Sequence, residues 1–193
     1  MQTFTKIDGS ILIAIQDLIV NDVMTPFVKV ITSLGNAGII WILISLGLII
    51  CKRTRKAGVL ALMSLILCFS FNNLIIKNIV RRTRPYEMFM GVRRLIPKPH
   101  DFSFPSGHSA SSFAVSTSLF LNLPKKAGIP LLMLAFAISI SRLYLGVHYP
   151  ADVLFGAFNG VIAACVVNCI AKKYHDKRKD DNLPEIGNGE KSL

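Results

Sequence analysis

Apolar residues run in long uncharged blocks along most of this chain. Residues 30–51 carry no charge over 22 positions and residues 57–76 none over 20, each long enough to cross a ~30 Å hydrocarbon core at ~1.5 Å per residue. Two shorter blocks, 109–124 and 127–141, hold 16 and 15 residues on either side of Lys125-Lys126, and 153–171 closes the series. The short blocks reach membrane length only if their helices continue through His108 on one side and Arg142 on the other, which puts polar residues at helix ends near one surface. Ahead of all of them, residues 7–23 set Ile11, Leu12, Ile15, Leu18 and Ile19 against Gln16, Asp17, Asn21 and Asp22, the spacing of an amphipathic helix lying on a membrane. This segment has no basic cluster and no small-residue cleavage site, so it does not read as a removable signal peptide.

The pattern therefore predicts an all-α polytopic transmembrane helix bundle, with five spans plus the N-terminal interfacial helix, or six if that segment also crosses. It divides into an amphipathic interfacial segment (1–29), a membrane-embedded domain (30–173) and a disordered cytoplasmic tail (174–193), charged and too low in apolar content to fold on its own.

Composition strengthens this picture. A chain of 193 residues that is 52% hydrophobic, with a mean hydropathy of +0.51, exceeds the apolar share of an ordinary soluble domain. The net charge of +11 would suggest nucleic acid in a soluble protein, but here the bases gather at the ends of apolar blocks and in one loop. Nucleic acid is therefore not expected as a partner, whereas membrane lipids are. Lys52, Arg53, Arg55 and Lys56, then Lys125 and Lys126, then Lys172, Lys173, Lys177, Arg178 and Lys179 fall on one side of five alternating spans, and short basic loops mark the cytoplasm. The seven bases of the 77–104 loop lie on the opposite face, so they need another job. Cys51, Cys68, Cys165 and Cys169 sit in or beside apolar blocks, where a thiol behaves as a small hydrophobe; no disulfide framework or metal set is expected of them.

The stretch Ser141 to Asp152, reading SRLYLGVHYPAD, packs ionisable groups against membrane-length segments, a costly placement that points to a functional site. Pro150 suits the first turn of the last helix. His148 then stands at its entrance and Asp152 just inside, so the carboxylate can reach one ring nitrogen, fix the tautomer and leave the other nitrogen facing a cleft. Taken alone, this motif is better explained by a structural His–Asp pair holding a helix start. Ser106 is placed as an N-cap with Gly107 and His108 behind it, and a helix start there would aim free N–H groups at a phosphate. A helix running on to Pro85 would set Lys77, Arg81 and Arg84 on one face, three cations converging on one anion; a headgroup-binding cluster is the alternative. Arg93, Arg94, Lys98 and His100 either select among headgroups or meet anionic lipid.

Lys77 followed by Arg84-Pro85, then Pro105-Ser106-Gly107-His108, then Ser141-Arg142 with His148 and Asp152, resembles in order and spacing the three-part signature of the type 2 phosphatidic acid phosphatase (PAP2) superfamily. The resemblance implies a PAP2/haloperoxidase-like bundle and metal-independent hydrolysis of a lipid phosphate or diphosphate. On it, His148 is the nucleophile that becomes a phosphohistidine, Asp152 orients it, His108 protonates the leaving oxygen and then activates water, and Lys77, Arg84, Ser106, Gly107 and Arg142 bind the phosphoryl oxygens. No cofactor and no metal are implied, and the 77–104 loop, with only Glu87 and Asp101 as acids, lacks the carboxylate cluster that Mg²⁺ prefers. The expected substrate is a polyprenyl (undecaprenyl) diphosphate, with phosphatidate or phosphatidylglycerol phosphate as the alternative, cleaved at the extracytoplasmic face of a bacterial plasma membrane. A non-catalytic anion- or lipid-binding membrane protein would need the bases but not His108, His148 and Asp152. A haloperoxidase of this family would be soluble and much larger.

Overall fold

The computed structural model describes residues 2–180, and side chains 3–178; among them no strand occurs and most are helical, the longest non-helical stretch being 89–106. The helices are α1 (Gln2–Ile19), α2 (Met24–Leu34), α3 (Ile39–Ile50), α4 (Arg55–Phe69), α5 (Lys77–Val80), α6 (Pro85–Met88), α7 (Gly107–Asn122), α8 (Lys125–Tyr144) and α9 (Pro150–Asp180). A turn at Asn36–Gly38, with Ala37 at φ +50° and Gly38 at φ +69°, joins α2 to α3, and the helical pair on either side is bent by 43°. A π-helical turn at Ser70–Ile76 joins α4 to α5. Three stretches are long and apolar enough to cross a membrane, Arg55–Met88, Lys125–Tyr144 and Pro150–Arg178, and a fourth if the bent pair counts as one. α7 has 16 residues, short for a span.

α7 sits at the centre because its side chains are small. Ser109, Ala110, Ser112, Ala114, Ser116 and Ser118 are all buried there, which lets neighbouring backbones come close, as small-residue stripes do in membrane helices. The α9 contact is the tightest. A Cβ built on Gly160 would stand 2.5 Å from the Ala110 carbonyl oxygen and 2.8 Å from the Ala114 nitrogen. The apolar core joins Trp41, Ala61, Leu65, Val115, Leu119, Ala135 and Ile138, and Trp41 Nε1 donates to Ser112 Oγ at 2.9 Å. Asn122 Nδ2 donates to Asn168 Oδ1 at 2.5 Å across α7 and α9. The outer surface is apolar in its turn, with Met133, Phe136, Leu154 and Phe158 exposed, as lipid-facing helices require.

α1 meets the other helices with Asp8, Leu12 and Gln16, which are buried, and leaves Ile7, Ile11 and Leu18 exposed. Gln16 is buried because its amide donates to the carbonyls of Tyr144 and Arg93 and accepts from the Arg93 N–H. Two sequence expectations change here. The helix after α4 does not reach Pro85. Arg81 turns into the left-handed region at φ +47°, and Arg84 is extended at ψ 151°, as the residue before a proline must be. Finally, α9 continues through 174–180, where a tail without structure was expected; residues 181–193 of that tail lie outside the described residues. All four cysteines are free.

Candidate active site

The break at Arg81 decides which cations meet. Arg81 is exposed and its Nε bonds the Asn78 carbonyl at 2.9 Å, so it leaves the group to which the uninterrupted helix would have assigned it. Lys77 and Arg84 remain, only 6% and 4% exposed. Both close on Asp101, which the sequence marked only as one of two acids in the loop. Lys77 Nζ pairs with one carboxylate oxygen of Asp101 and Arg84 Nη2 bonds the other at 2.6 Å. Burial alone would raise the Asp101 carboxyl, but the Lys77 ammonium and the Arg84 guanidinium outweigh it and hold the group down at about 2.

Arg84 also reaches the nucleophile candidate. Its Nη1 donates to the Val147 carbonyl at 2.6 Å and lies 3.4 Å from His148 Nε2. The other ring nitrogen, Nδ1, is 3.5 Å from Asp152 Oδ2. His148 lies between the ends of α8 and α9, and its burial, with Arg84 and Arg142 nearby, lowers its pKa to about 4 against the pull of Asp152. The ring is therefore neutral at ordinary pH, the state a nucleophile needs.

Ser106 is the N-cap of α7, its hydroxyl accepting from the Ser109 N–H at 3.4 Å, and the His108 ring contacts Asn36 Oδ1 through Nε2 at 3.1 Å. Arg142 donates to Thr32 Oγ1 at 2.6 Å. Its Nε is buried with no partner, a donor left for a ligand.

Lys77, Arg84, Gly107, His108, Arg142 and His148 line one cavity of about 480 Å³, together with the apolar side chains of Ile42, Leu65, Ile66 and Phe69. Of the residues marked by the sequence, Ser106 and Asp152 stand behind this lining rather than in it. Asn73 lines it too and was not anticipated; it lies in the π-helical turn, which no periodicity in the sequence announced. Arg93 and Arg94 do not line it: Arg93 pairs with Asp17 at 3.1 Å and Arg94 lies over the Tyr86 ring. Lys98 pairs with Glu87 at 2.5 Å.

A concave site lined by cations and by apolar side chains can hold an anionic group that carries a hydrocarbon chain. Known proteins agree in kind. An undecaprenyl-diphosphatase of Sulfolobus acidocaldarius is 35% identical over 117 residues, covering 61% of this chain and 56% of that protein, so the chain spans little more than half the length of this relative. The undecaprenyl-diphosphatase BcrC of Bacillus subtilis is 29% identical, covering 81% of this chain and 77% of that one. The crystal structure of a transmembrane PAP2-type phosphatidylglycerolphosphate phosphatase from Bacillus subtilis matches with a TM-score of 0.73 at 26% identity, over 90% of this chain and 88% of that one. The family model of the PAP2 superfamily matches residues 57–176, a stretch that begins before Lys77 and ends beyond Asp152, and the chain belongs to that superfamily.

Proposed function

We infer that this protein is an integral membrane lipid phosphatase that hydrolyses a polyprenyl (undecaprenyl) diphosphate to the monophosphate through a phosphohistidine. The observation that carries this reading is the mixed lining of the cavity, where Lys77, Arg84, Arg142, His108 and His148 share one space with Ile42, Leu65, Ile66 and Phe69. In the reaction, His148 Nε2 attacks phosphorus and the bond to the leaving oxygen breaks as His108 gives that oxygen a proton. His108 then takes a proton from water, whose oxygen attacks the phosphohistidine and frees His148. Asp152 orients the ring, while Lys77, Arg84, Arg142 and the Gly107 N–H hold the equatorial oxygens, where charge is spread in phosphoryl transfer. Ser106 supports that helix start as its cap.

Residues 30–173 form the catalytic unit and residues 1–29 dock on its rim, with the site at the extracytoplasmic face of a bacterial plasma membrane and the C-terminus in the cytoplasm. The second reading, a phosphatidylglycerol phosphate or phosphatidate phosphatase, is favoured by the likeness to the phosphatidylglycerolphosphate phosphatase of Bacillus subtilis.

Phosphate release from a panel of purified lipid phosphates tests both. The expected result is a higher kcat/KM for polyprenyl diphosphate than for phosphatidate, with turnover abolished in His148→Ala and severely reduced in Asp152→Asn. Clear preference for a diacyl phosphate selects the second reading, and substantial turnover by folded His148→Ala removes the phosphohistidine from either.

A further inference from the structure

Asp152 is held more firmly from behind than by the histidine it faces. It is fully buried, and at 3.5 Å its Oδ2 is too far from His148 Nδ1 for a strong hydrogen bond. The same oxygen accepts from Ser103 Oγ at 2.5 Å and from the Tyr149 N–H at 3.0 Å. Its Oδ1 accepts from Arg82 Nη1 at 2.6 Å. Arg82 lies outside the cavity lining; the left-handed turn at Arg81 separates it from the Lys77 side of the chain. Its second terminal nitrogen donates to Asp8 Oδ2 at 2.8 Å, and its guanidinium carbon stands 3.8 Å from the centre of the Tyr149 ring. Asp8, on α1, completes the link by accepting the Ala151 N–H with its other oxygen at 3.1 Å.

One guanidinium thus ties the N-terminal helix, the turn after α5 and the start of α9 to the carboxylate behind the nucleophile candidate. A buried carboxylate is costly unless its charge is compensated in good geometry, and the planar fork of arginine can serve two carboxylates at fixed angles where an ammonium cannot. We propose that Arg82 and Asp8 are positioning residues for phosphoryl transfer, fixing Asp152 so that it sets the orientation of the His148 ring. The N-terminal helix is then part of the catalytic apparatus although none of its residues lines the cavity. This rests on the reading of His148 as the nucleophile. Through Asp152, an oriented carboxylate steadies the imidazolium as phosphorus is attacked; loss of Arg82 or Asp8 therefore weakens the transition state and leaves ground-state phosphate binding, which uses Lys77, Arg84 and Arg142, in place.

The test is a kinetic cycle on the purified full chain with Asp8→Asn, Arg82→Gln, Arg82→Lys, Asp152→Asn and the doubles. Arg82→Gln is expected to lower kcat by roughly 10- to 100-fold, the range seen when outer partners of a site are removed, and Asp8→Asn by a smaller factor. KM and inhibition by inorganic phosphate stay near wild type, whereas inhibition by vanadate weakens in step with kcat. Arg82→Lys recovers part of the loss. The Asp8→Asn and Arg82→Gln losses combine to less than their product, and Arg82→Gln adds little once Asp152 is Asn. Wild-type kcat in the singles, a parallel loss of phosphate inhibition, or full multiplication in the doubles overturns the proposal. Should Arg82→Gln fail to fold, Asp8→Asn, nearly isosteric, carries the test alone. The His148→Ala control keeps the two readings apart: turnover in that variant defeats the nucleophile assignment, while its loss together with unaffected Asp8→Asn and Arg82→Gln enzymes defeats only the positioning role.

Discussion

Two of the cations proposed to bind phosphate are engaged by an anion of the chain itself. Lys77 and Arg84 share the Asp101 carboxylate, and with its pKa held at about 2 that group stays charged at any working pH. A depressed carboxyl contributes its ion-pair stability above the ordinary range near 4 and loses it as pH falls toward 2, so neutral-pH acidification does not release the cations. An incoming phosphate must displace the carboxylate. Both cations are buried but the Asp101 carboxylate is half exposed, and water on its side keeps each pair near the surface scale of about 1 kcal/mol, so Asp101→Asn should lower KM and the inhibition constant for inorganic phosphate roughly two- to fivefold; a rise in both would show that Asp101 organises the site instead of competing for it. The motif spacings were enough to single out Lys77, Arg84, Gly107, His108, Arg142 and His148, which the cavity brings together. They could not reveal Asp101, Arg82 or Asp8, because those residues matter through partners far along the chain: Arg82 and Asp8 are 74 residues apart, and nothing local in either segment signals the pairing.

At the scale of elements, apolar run length located α3, α4, α8 and α9, since a continuous hydrocarbon-facing surface must be apolar whatever its neighbours are. Helix faces were less legible. α1 turns a polar face inward because the interior it meets is the carbonyls of Tyr144 and Arg93 and the N–H of Ala151, which periodicity alone cannot know. α7 is legible in retrospect by its serines and alanines, whose small size matters only against α9. The closeness of that pair gives a second prediction. A side chain on Gly160 would run into the backbone of α7 at Ala110 and Ala114, which cannot move aside as a flexible side chain can. Gly160→Val should therefore cost on the order of 1–3 kcal/mol, the usual penalty of overpacking, and lower the thermal unfolding midpoint. Gly47→Val on α3, where a Cβ meets nothing within 4 Å, should change that midpoint far less. Equal midpoints for the two variants would mean that α7 and α9 can separate without loss.

For the whole molecule the open quantity is which way it sits in the bilayer, and the positions of the charges decide it. The cavity lies between the α5 end of the Arg55–Met88 stretch, the start of α7 and the turn from α8 to α9. The far ends of α3, α7 and α9 carry the short basic loops at 52–56 and 125–126 and the bases from 172 onward. Short loops rich in Lys and Arg are retained on the cytoplasmic side. The bases at the other end do not contradict this, because most of them are occupied: Lys77 and Arg84 with Asp101, Arg82 with Asp8 and Asp152, Arg93 with Asp17, and Lys98 with Glu87. These pairings account for the number of bases at that end without a topological role. For these ends to alternate, α7 must cross the membrane despite its 16 residues, with Ser112 and Ser118 bonded to Trp41 and Asn168 of neighbouring helices. Reporters placed in the 122–126 turn and after Lys173 should therefore read cytoplasm, and one in the 88–98 loop the opposite side. A cytoplasmic signal from the 88–98 loop would turn the molecule over and put the site on the inner leaflet.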